Sequence, residues 1–328
     1  MKTIAIIGAG QLGSRHLQGV LKSELNFKVF VIDPNLASIE VARIRSKEIA
    51  HNHEVYFKQE ISELPLELNL VIVATNSDVR LNIIKKLISQ SIIETLILEK
   101  VLFQALCEYK EALELFEESP TTVLVNHPRR MQELYLGLRH FILGCPNEHF
   151  EVEFIGHNWG IGCNALHVSD IVEFLFDDFV MSYDCRHLDR EILQSKRNNF
   201  IEFSGKLIGT THKGHNITLV SYNTIKNHQS YPQFTIKSPS VSIEVKEGSS
   251  EIIISTKKPK TSIQTMTFTP LLFQSDLSKI IADKALKGQI VGLTSLNEAC
   301  RNHMSFVSCL INHLESINYI TNDKCPIT

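Results

Sequence analysis

The stretch Thr3-Ile4-Ala5-Ile6-Ile7-Gly8-Ala9-Gly10-Gln11-Leu12-Gly13, near the start of a chain of 328 residues, decides how the rest is read. A short apolar run over 3–7 leads into glycines spaced G-x-G-x-x-G. Behind them Leu12, Leu17, Val20 and Leu21 roughly follow a helical stripe. Strand, glycine turn and helix in that order give the glycines separate steric tasks: a tight turn, close backbone approach to a pyrophosphate, and close packing of helix on strand. The helix N-terminus then offers N–H groups to the phosphates. Asp33 lies 20 residues after Gly13, at the end of the next strand. A carboxylate there accepts hydrogen bonds from ribose hydroxyls and repels a 2′-phosphate, and no Arg follows within Asp33-Pro34-Asn35. The motif therefore predicts NAD, in preference to NADP, held by Gly8, Gly10, Gln11, Leu12, Gly13 and Asp33.

Outward from this motif, strands at 27–32, 55–57, 68–74, 95–98 and 122–125 alternate with helical patterns at 39–49, 78–88 and 104–116, with Ser77 as a helix cap. The run 68–74 is almost continuously apolar, as a strand buried on both faces is. Strands alternating with helices predict an α/β fold, a doubly wound parallel sheet of Rossmann type. Ligands of such sheets sit beyond the carboxyl ends of the strands. Here those ends are Gly8, Asp33, Ala74-Thr75-Asn76, Glu99-Lys100 and Asn126, all small or polar. Ala74, Thr75, Asn76 and Glu99 accordingly join the predicted cofactor set, and Lys100 stands at the mouth of the same crevice.

The second half changes pattern. A helical stretch runs to about 142, a strand covers 151–155, and the glycine-broken turn 157–162 precedes a helix over 164–181. His167, Ile171, Phe174 and Leu175 share one face of it. From 201 onward apolar and polar residues alternate, most regularly over 241–246, with a turn at 246–249 and a strand at 252–254. Two helices close the chain, roughly 271–286 and 295–317. The prediction is a Rossmann domain over 1–126 and a C-terminal α+β domain over 127–328, built on a large, mostly antiparallel open sheet. One face of that sheet is left for a subunit interface, so a homodimer or homotetramer is expected. Lys257-Lys258-Pro259-Lys260 reads as a small solvated basic loop.

A net charge of −3 gives no basic field for nucleic acid or an anionic membrane. The seven Cys, at 107, 145, 163, 185, 300, 309 and 325, show no paired spacing, so no zinc site, other metal site or disulfide framework is suggested. Reduced thiols fit a cytoplasmic protein. The apolar run behind Lys2 is too short for a signal peptide, and no segment is long enough to span a bilayer.

The motifs GAGQLGSRH (8–16), VIVATNSDVR (71–80), EK (99–100), NHPRR (126–130) and WGIGCNALHVSD (159–170) together resemble the glucose-fructose oxidoreductase / inositol dehydrogenase / MocA family over essentially the whole chain. That resemblance implies hydride transfer between a substrate hydroxyl and NAD, with Lys100 as acid/base and His167, on the first long helix of the second domain, beside it. The chain departs from the family pattern at three places: Val101 replaces a Pro, Cys163 an Asp, and Arg80 a His. The fragment 159–167 is similar to members acting on sugars or nucleotide sugars in surface-polysaccharide pathways. Asn164, three residues before His167, can place a substrate hydroxyl. Arg130 either clamps a substrate carboxylate or phosphate or makes a salt bridge between domains. Trp159 either stacks on a sugar ring or fills a domain interface. Asp170 either orients His167 or pairs with a cation, and Arg80 either touches the ligand edge or lies on a solvated helix face. The departures also leave open a non-catalytic sensor that binds the dinucleotide and reports to a partner protein.

Overall fold

The structure is a computed structural model that describes residues 1–145, 148–224, 231–257 and 261–328. Of the predicted basic loop, 258–260 lie outside the described residues. In chain order the first elements are β1 (Lys2–Ile7), α1 (Gln11–Leu21), β2 (Phe27–Ile32), α2 (Leu36–Ser46), β3 (Glu54–Lys58), β4 (Glu67–Val73), α3 (Ser77–Gln90), β5 (Ile92–Leu98), α4 (Leu106–Phe116) and β6 (Thr122–Val125). Then follow α5 (Glu133–Leu143), β7 (Glu151–His157), α6 (Ile161–Phe176), β8 (Val180–Leu188), β9 (Leu193–Gln194), β10 (Ile201–Glu202), β11 (Gly205–Thr211) and β12 (Asn216–Tyr222). The chain continues with β13 (Gln233–Lys237), β14 (Val241–Lys246), β15 (Glu251–Thr256), β16 (Ser262–Thr267), α7 (Gln274–Leu286), β17 (Thr294–Ser295) and α8 (Leu296–Ser316).

Two compact units form. The first comprises Met1–Phe103, Cys107–Pro128 and Leu272–Asn297. A single cut at 126 does not anticipate the last segment, which brings α7 and β17 back to the N-terminal sheet. Among the described residues that sheet has seven strands in the order β17-β6-β5-β4-β1-β2-β3. β1 to β6 pair in parallel, and only β17 runs antiparallel, beside β6. This order, with its reversal between β1 and β4, is that of a doubly wound dinucleotide fold. The central strands are apolar on both faces because helices cover both: the last four residues of β4 are all buried. α3 begins one residue earlier than the sequence pattern suggests. Ser77 is its first, buried residue, and Asn76 holds the cap position without a side-chain cap bond.

The second unit comprises Gln104–Leu106, Arg129–Leu271 and Glu298–Thr328. Among the described residues its main sheet has eight strands in the order β16-β15-β14-β13-β7-β12-β11-β8, antiparallel except for the pair β7/β12. Alternate residues are buried: Val152 and Phe154 on β7, Ile217 and Leu219 on β12, Ile243 and Val245 on β14. The helix expected over 164–181 is earlier and shorter. It starts after Gly160 (φ +75°) and stops at Asp177, whose left-handed conformation (φ 51°) closes the last turn through its N–H on the Glu173 carbonyl. The freed residues from Val180 onward become the edge strand β8.

Within the first unit α1 packs against α7 at Gly19. A Cβ there would lie 2.1 Å from the Ser275 carbonyl oxygen and 2.6 Å from the Ser278 Cβ. Gly19→Ala is expected to force the helices apart and lower unfolding stability by about 1–3 kcal/mol in urea titrations. An alanine variant as stable as the parent would show that α7 yields freely there.

Candidate functional site

The glycine turn is built as its spacing suggests. Gly8 has φ +93°, where a side chain would be strained. A Cβ on Gly13 would lie 1.7 Å from the Gly8 carbonyl oxygen, so only glycine lets α1 start this close to β1. Around Gly10 a Cβ would meet nothing within 4 Å. Gly10 is also the cap of α1 and provides no side-chain bond, and the first turn of the helix carries no acidic residue. The N–H groups of that turn are therefore available to an anion. Asp33 braces the turn: its Oδ2 accepts the Ala9 N–H at 2.7 Å and its Oδ1 the Asn35 N–H at 2.8 Å.

Gly8, Gly10, Asp33, Ala74, Thr75 and Asn76 line one cleft of about 810 Å³ in the first unit. Gln11, Leu12 and Gly13 do not line it. The Gln11 side chain instead accepts Arg45 at 2.6 Å, tying α1 to α2. The same cleft is walled by Gln59 and Ile61 past β3 and by Val79 and Ile83 on α3, residues missing from the sequence-based set. The strand-end rule applied to β3, and the i, i+4 spacing of Val79 and Ile83, carried the signal. The dinucleotide fits this lining in two respects: the space around Gly10 is open, and Thr75 Oγ1 is buried with no hydrogen-bond partner.

Glu99, predicted to touch the cofactor, is instead buried beneath the strand ends. Its Oε1 accepts His16 Nε2 at 2.9 Å and Asn126 Nδ2 at 2.6 Å. His16 Nδ1 lies 2.8 Å from Ser278 Oγ, and Asn126 Nδ2 also reaches Gln274 Oε1 at 3.1 Å. Burial opposes the charge of Glu99, but His16, Asn126 and Lys100 together hold its carboxyl below the ordinary value. Lys100 is half-buried at the end of β5. The peptide joining it to Val101 is cis, although residue 101 is not proline. Arg80 lies neither on a solvated helix face nor at a ligand edge. It is 1% exposed, and its guanidinium donates to the carbonyls of Thr75, Val101 and Leu102, the last at 2.8 Å. Arg80 therefore binds the segment after Lys100 to the end of β4.

In the second unit Glu202 Oε2 accepts the Gly162 N–H at 2.9 Å and caps α6 from β10. Cys163, Asn164 and His167 form the half-buried strip of that helix. Asn164 Nδ2 donates to the Trp159 carbonyl, and Trp159 Nε1 donates to the Val220 carbonyl at 2.7 Å. The indole also meets Phe154 edge-on, with centroids 5.1 Å apart. Trp159, Cys163 and Asn164 share a cavity of about 530 Å³ with Lys196 and Glu202. Arg130, the candidate substrate clamp, is already engaged: its Nε and terminal nitrogen meet the two oxygens of Asp170 at 2.9 and 2.8 Å, both residues buried. Such a bidentate pair leaves that edge of the guanidinium no room for a substrate anion. Asp170 accordingly pairs with a cation. Among the described residues no group of three or more His, Cys, Asp or Glu is placed to hold a metal ion. No described helix is long and apolar enough to cross a membrane.

The first unit is thus a dinucleotide-binding domain in its topology, its glycine turn and its acidic strand end. Residues 2–127 match the family described as "Oxidoreductase family, NAD-binding Rossmann fold", the GFO_IDH_MocA model, as the sequence motifs anticipate. No curated protein matches the chain. Among solved structures the chain is similar to the UDP-N-acetylglucosamine 3-dehydrogenase GnnA from Acidithiobacillus ferrooxidans (13% identity, 96% of this chain and 98% of that one, TM-score 0.71). It is similar to myo-inositol dehydrogenase from Lactobacillus casei in complex with NAD(H) and myo-inositol (14% identity, 96% and 95%, TM-score 0.69). It is also similar to a super-repressor mutant of Gal80p from Saccharomyces cerevisiae (11% identity, 96% and 96%, TM-score 0.74). At these identities the likeness establishes the shared two-part fold.

Glu173, one turn beyond Asp170 on α6, accepts the Val180 N–H at 2.8 Å. Burial pushes its carboxyl up to about 8. Asp170 adds to the rise, and the Val180 N–H, Arg130 and Arg301 oppose it. The folded chain therefore keeps a proton that the unfolded chain loses near the ordinary value of 4.5. This contribution to stability is full below that value and disappears as pH rises through about 8. Urea titrations at pH 5.5 and 8.5 should show the parent losing on the order of a few kcal/mol relative to Glu173→Gln. Identical pH slopes for both proteins would mean that Glu173 ionises normally.

Proposed function

We propose that the protein is an NAD-dependent dehydrogenase acting on a hydroxyl of a sugar or nucleotide sugar, with Lys100 as its acid/base. The observation that carries this reading is the placement of Lys100. It follows β5 at the same carboxyl edge as the glycine turn and Asn126, and the preceding carboxylate is already taken up by His16 and Asn126. Glu99 is thereby committed to structure, and the lysine remains as the proton-handling group of the pair. Gly8, Gly10, Asp33 and Thr75 would hold NAD, which supplies the hydride acceptor. Asp33 favours NAD over its 2′-phosphorylated form through like-charge repulsion. Lys100 takes the hydroxyl proton as the carbinol is oxidised and returns it in the reverse direction. The family resemblance gives His167 a catalytic role as well. The cavity of Trp159 and Asn164 takes the sugar, with the indole acting through its ring, since its N–H is bonded to Val220.

The substrate class is supported by the names of two proteins of the same fold, one a dehydrogenase of UDP-N-acetylglucosamine and one of myo-inositol. A role in surface-polysaccharide synthesis is what the resemblance of the fragment 159–167 implies. We also propose that the outward face of the eight-stranded sheet, where Ile208, Thr218, Glu153, Thr235, Glu244 and Ile253 stand in one cross-strand row, joins copies of the chain. Sedimentation should give a dimer or tetramer, and Ile253→Glu should shift it toward monomer. A monomeric parent at micromolar concentration would refute that interface.

A panel of nucleotide sugars and polyols, followed by NADH fluorescence, tests the activity. Lys100→Ala should keep NAD affinity within a few-fold and lose turnover by about 10²-fold or more, the usual range for a general acid/base. A variant that keeps its rate would remove Lys100 from the chemistry. Tight NAD binding by the parent with no substrate-dependent reduction would favour the sensor reading.

A further inference from the structure

We propose that Cys185 and Cys309 form an oxidisable dithiol, a modification site at which a hydroperoxide joins β8 to α8 through a disulfide. The pair is built by the fold. β8 pairs with β11 regularly from Ser182↔Thr210 to Asp184↔Ile208, but the next pair is His187↔Lys206. Two residues of β8, Cys185 and Arg186, therefore face Leu207 alone, a β-bulge. The bulge turns Leu188 to the buried side together with Tyr183 and Cys185, three residues apart where strict alternation would need two or four. Opposite them, Asn302, Phe306 and Cys309 recur at i, i+4 and i+7 on one face of α8. Tyr183 donates to Asn302 Oδ1 at 2.6 Å and meets Phe306 edge-on at 5.6 Å. Two turns further along the same helix face, Cys185 Sγ donates to the Cys309 carbonyl at 2.8 Å.

The chemical roles of the pair are unequal. Cys185 is half-buried and Cys309 is 7% exposed. The neighbouring Cys309 thiol lowers the pKa of Cys185 against the opposing effects of burial and Asp184, and Cys309 is itself raised well above its ordinary value. A reachable thiol whose anion a neighbouring thiol supports is the arrangement of an attacking and a resolving cysteine. Cys300 and Cys325 have no such support, and burial pushes the first up to about 12 and the second higher.

In the first step the Cys185 thiolate attacks the O–O bond of the hydroperoxide. An S–O bond forms, the O–O bond breaks, and two electrons pass from sulfur to the peroxide, which leaves as an alcohol or as water. Cys309 sulfur then attacks the sulfenic sulfur. The S–S bond forms, the S–O bond breaks, and hydroxide leaves with the Cys309 proton as water. Two thiols and one peroxide give one disulfide, one alcohol (or water) and one water.

The full chain, treated with one equivalent of hydrogen peroxide, alkylated and digested, should yield the peptides of Cys185 and Cys309 linked within one chain, with free thiols falling from seven to five. Cys309→Ser should stop at a Cys185 sulfenic acid that dimedone traps. Cys185→Ser should leave Cys309 fully alkylated. The proposal fails if Cys107, which is exposed, is oxidised first while Cys185 stays reduced. It also fails if Cys185 goes to sulfinic acid without the link, or if the link joins two chains. The wild-type peptide map decides these outcomes even if a serine variant does not fold.

Discussion

The buried carboxylate of Glu99 is the interaction on which the first unit turns. It draws His16 from α1, Asn126 from β6 and, through these, Ser278 and Gln274 from α7 to the end of β5. A carboxylate taken out of water is costly unless it is paired and hydrogen-bonded, and removing one partner strands the charge. An ionised carboxylate only accepts, so the Nε2 of His16 carries the hydrogen between them, and the imidazole orientation is fixed at both ring nitrogens. The same pairing explains why an apolar strand ends in Glu-Lys. The first charge is structural and inward-facing, and the backbone it anchors delivers the second to the edge of the sheet.

A parallel arrangement governs the second unit, where the charges sit on α6. Asp170 and Arg130 neutralise each other in a bidentate pair, and Glu173, one turn on, is held protonated by burial in a site that gives it one N–H to accept. Glu202 contributes the negative end at the N-terminus of the same helix. Asp170, Glu173 and Ser169 of this apolar helix each have a partner from another element of the unit, Arg130, the Val180 N–H and Asn302. That is the condition under which buried polar groups specify one packing rather than weaken it.

The parts of this structure legible in the sequence were those governed by local rules. Glycine spacing, strand ends and two-residue alternation follow from backbone sterics and side-chain direction within a few residues. The tight turn at Gly8 and Gly13 and the alternating strands β12 to β15 therefore follow from the sequence. What failed was the choice of long-range partners. Nothing near Arg130 in sequence announces Asp170, and nothing near Glu99 announces His16. Arg80 reads as a ligand-edge or solvated-face residue because two of the three carbonyls it binds, those of Val101 and Leu102, lie more than 20 positions away. The return of 272–297 to the first unit was hidden for the same reason, since β17 is too short to carry a pattern. Asp177 ends α6 in a left-handed conformation without a glycine, so the helix was drawn too long.

Two of the buried polar atoms in the first unit bear on the edge that carries Lys100. Thr75 Oγ1 and Asn126 Oδ1 are buried without hydrogen-bond partners, at the ends of β4 and β6, the two strands flanking β5. Leaving such a group unsatisfied costs about 1–3 kcal/mol. Both atoms lie at the carboxyl edge that carries Lys100, on either side of its strand. Asn126 has its amide nitrogen committed to Glu99 and Gln274, so only its acceptor remains; the Thr75 hydroxyl keeps both roles. A molecule meeting both ends would therefore find one fixed acceptor and one adaptable hydroxyl bracketing the lysine. A carboxamide or a row of vicinal hydroxyls has the donor and acceptor spacing to use them.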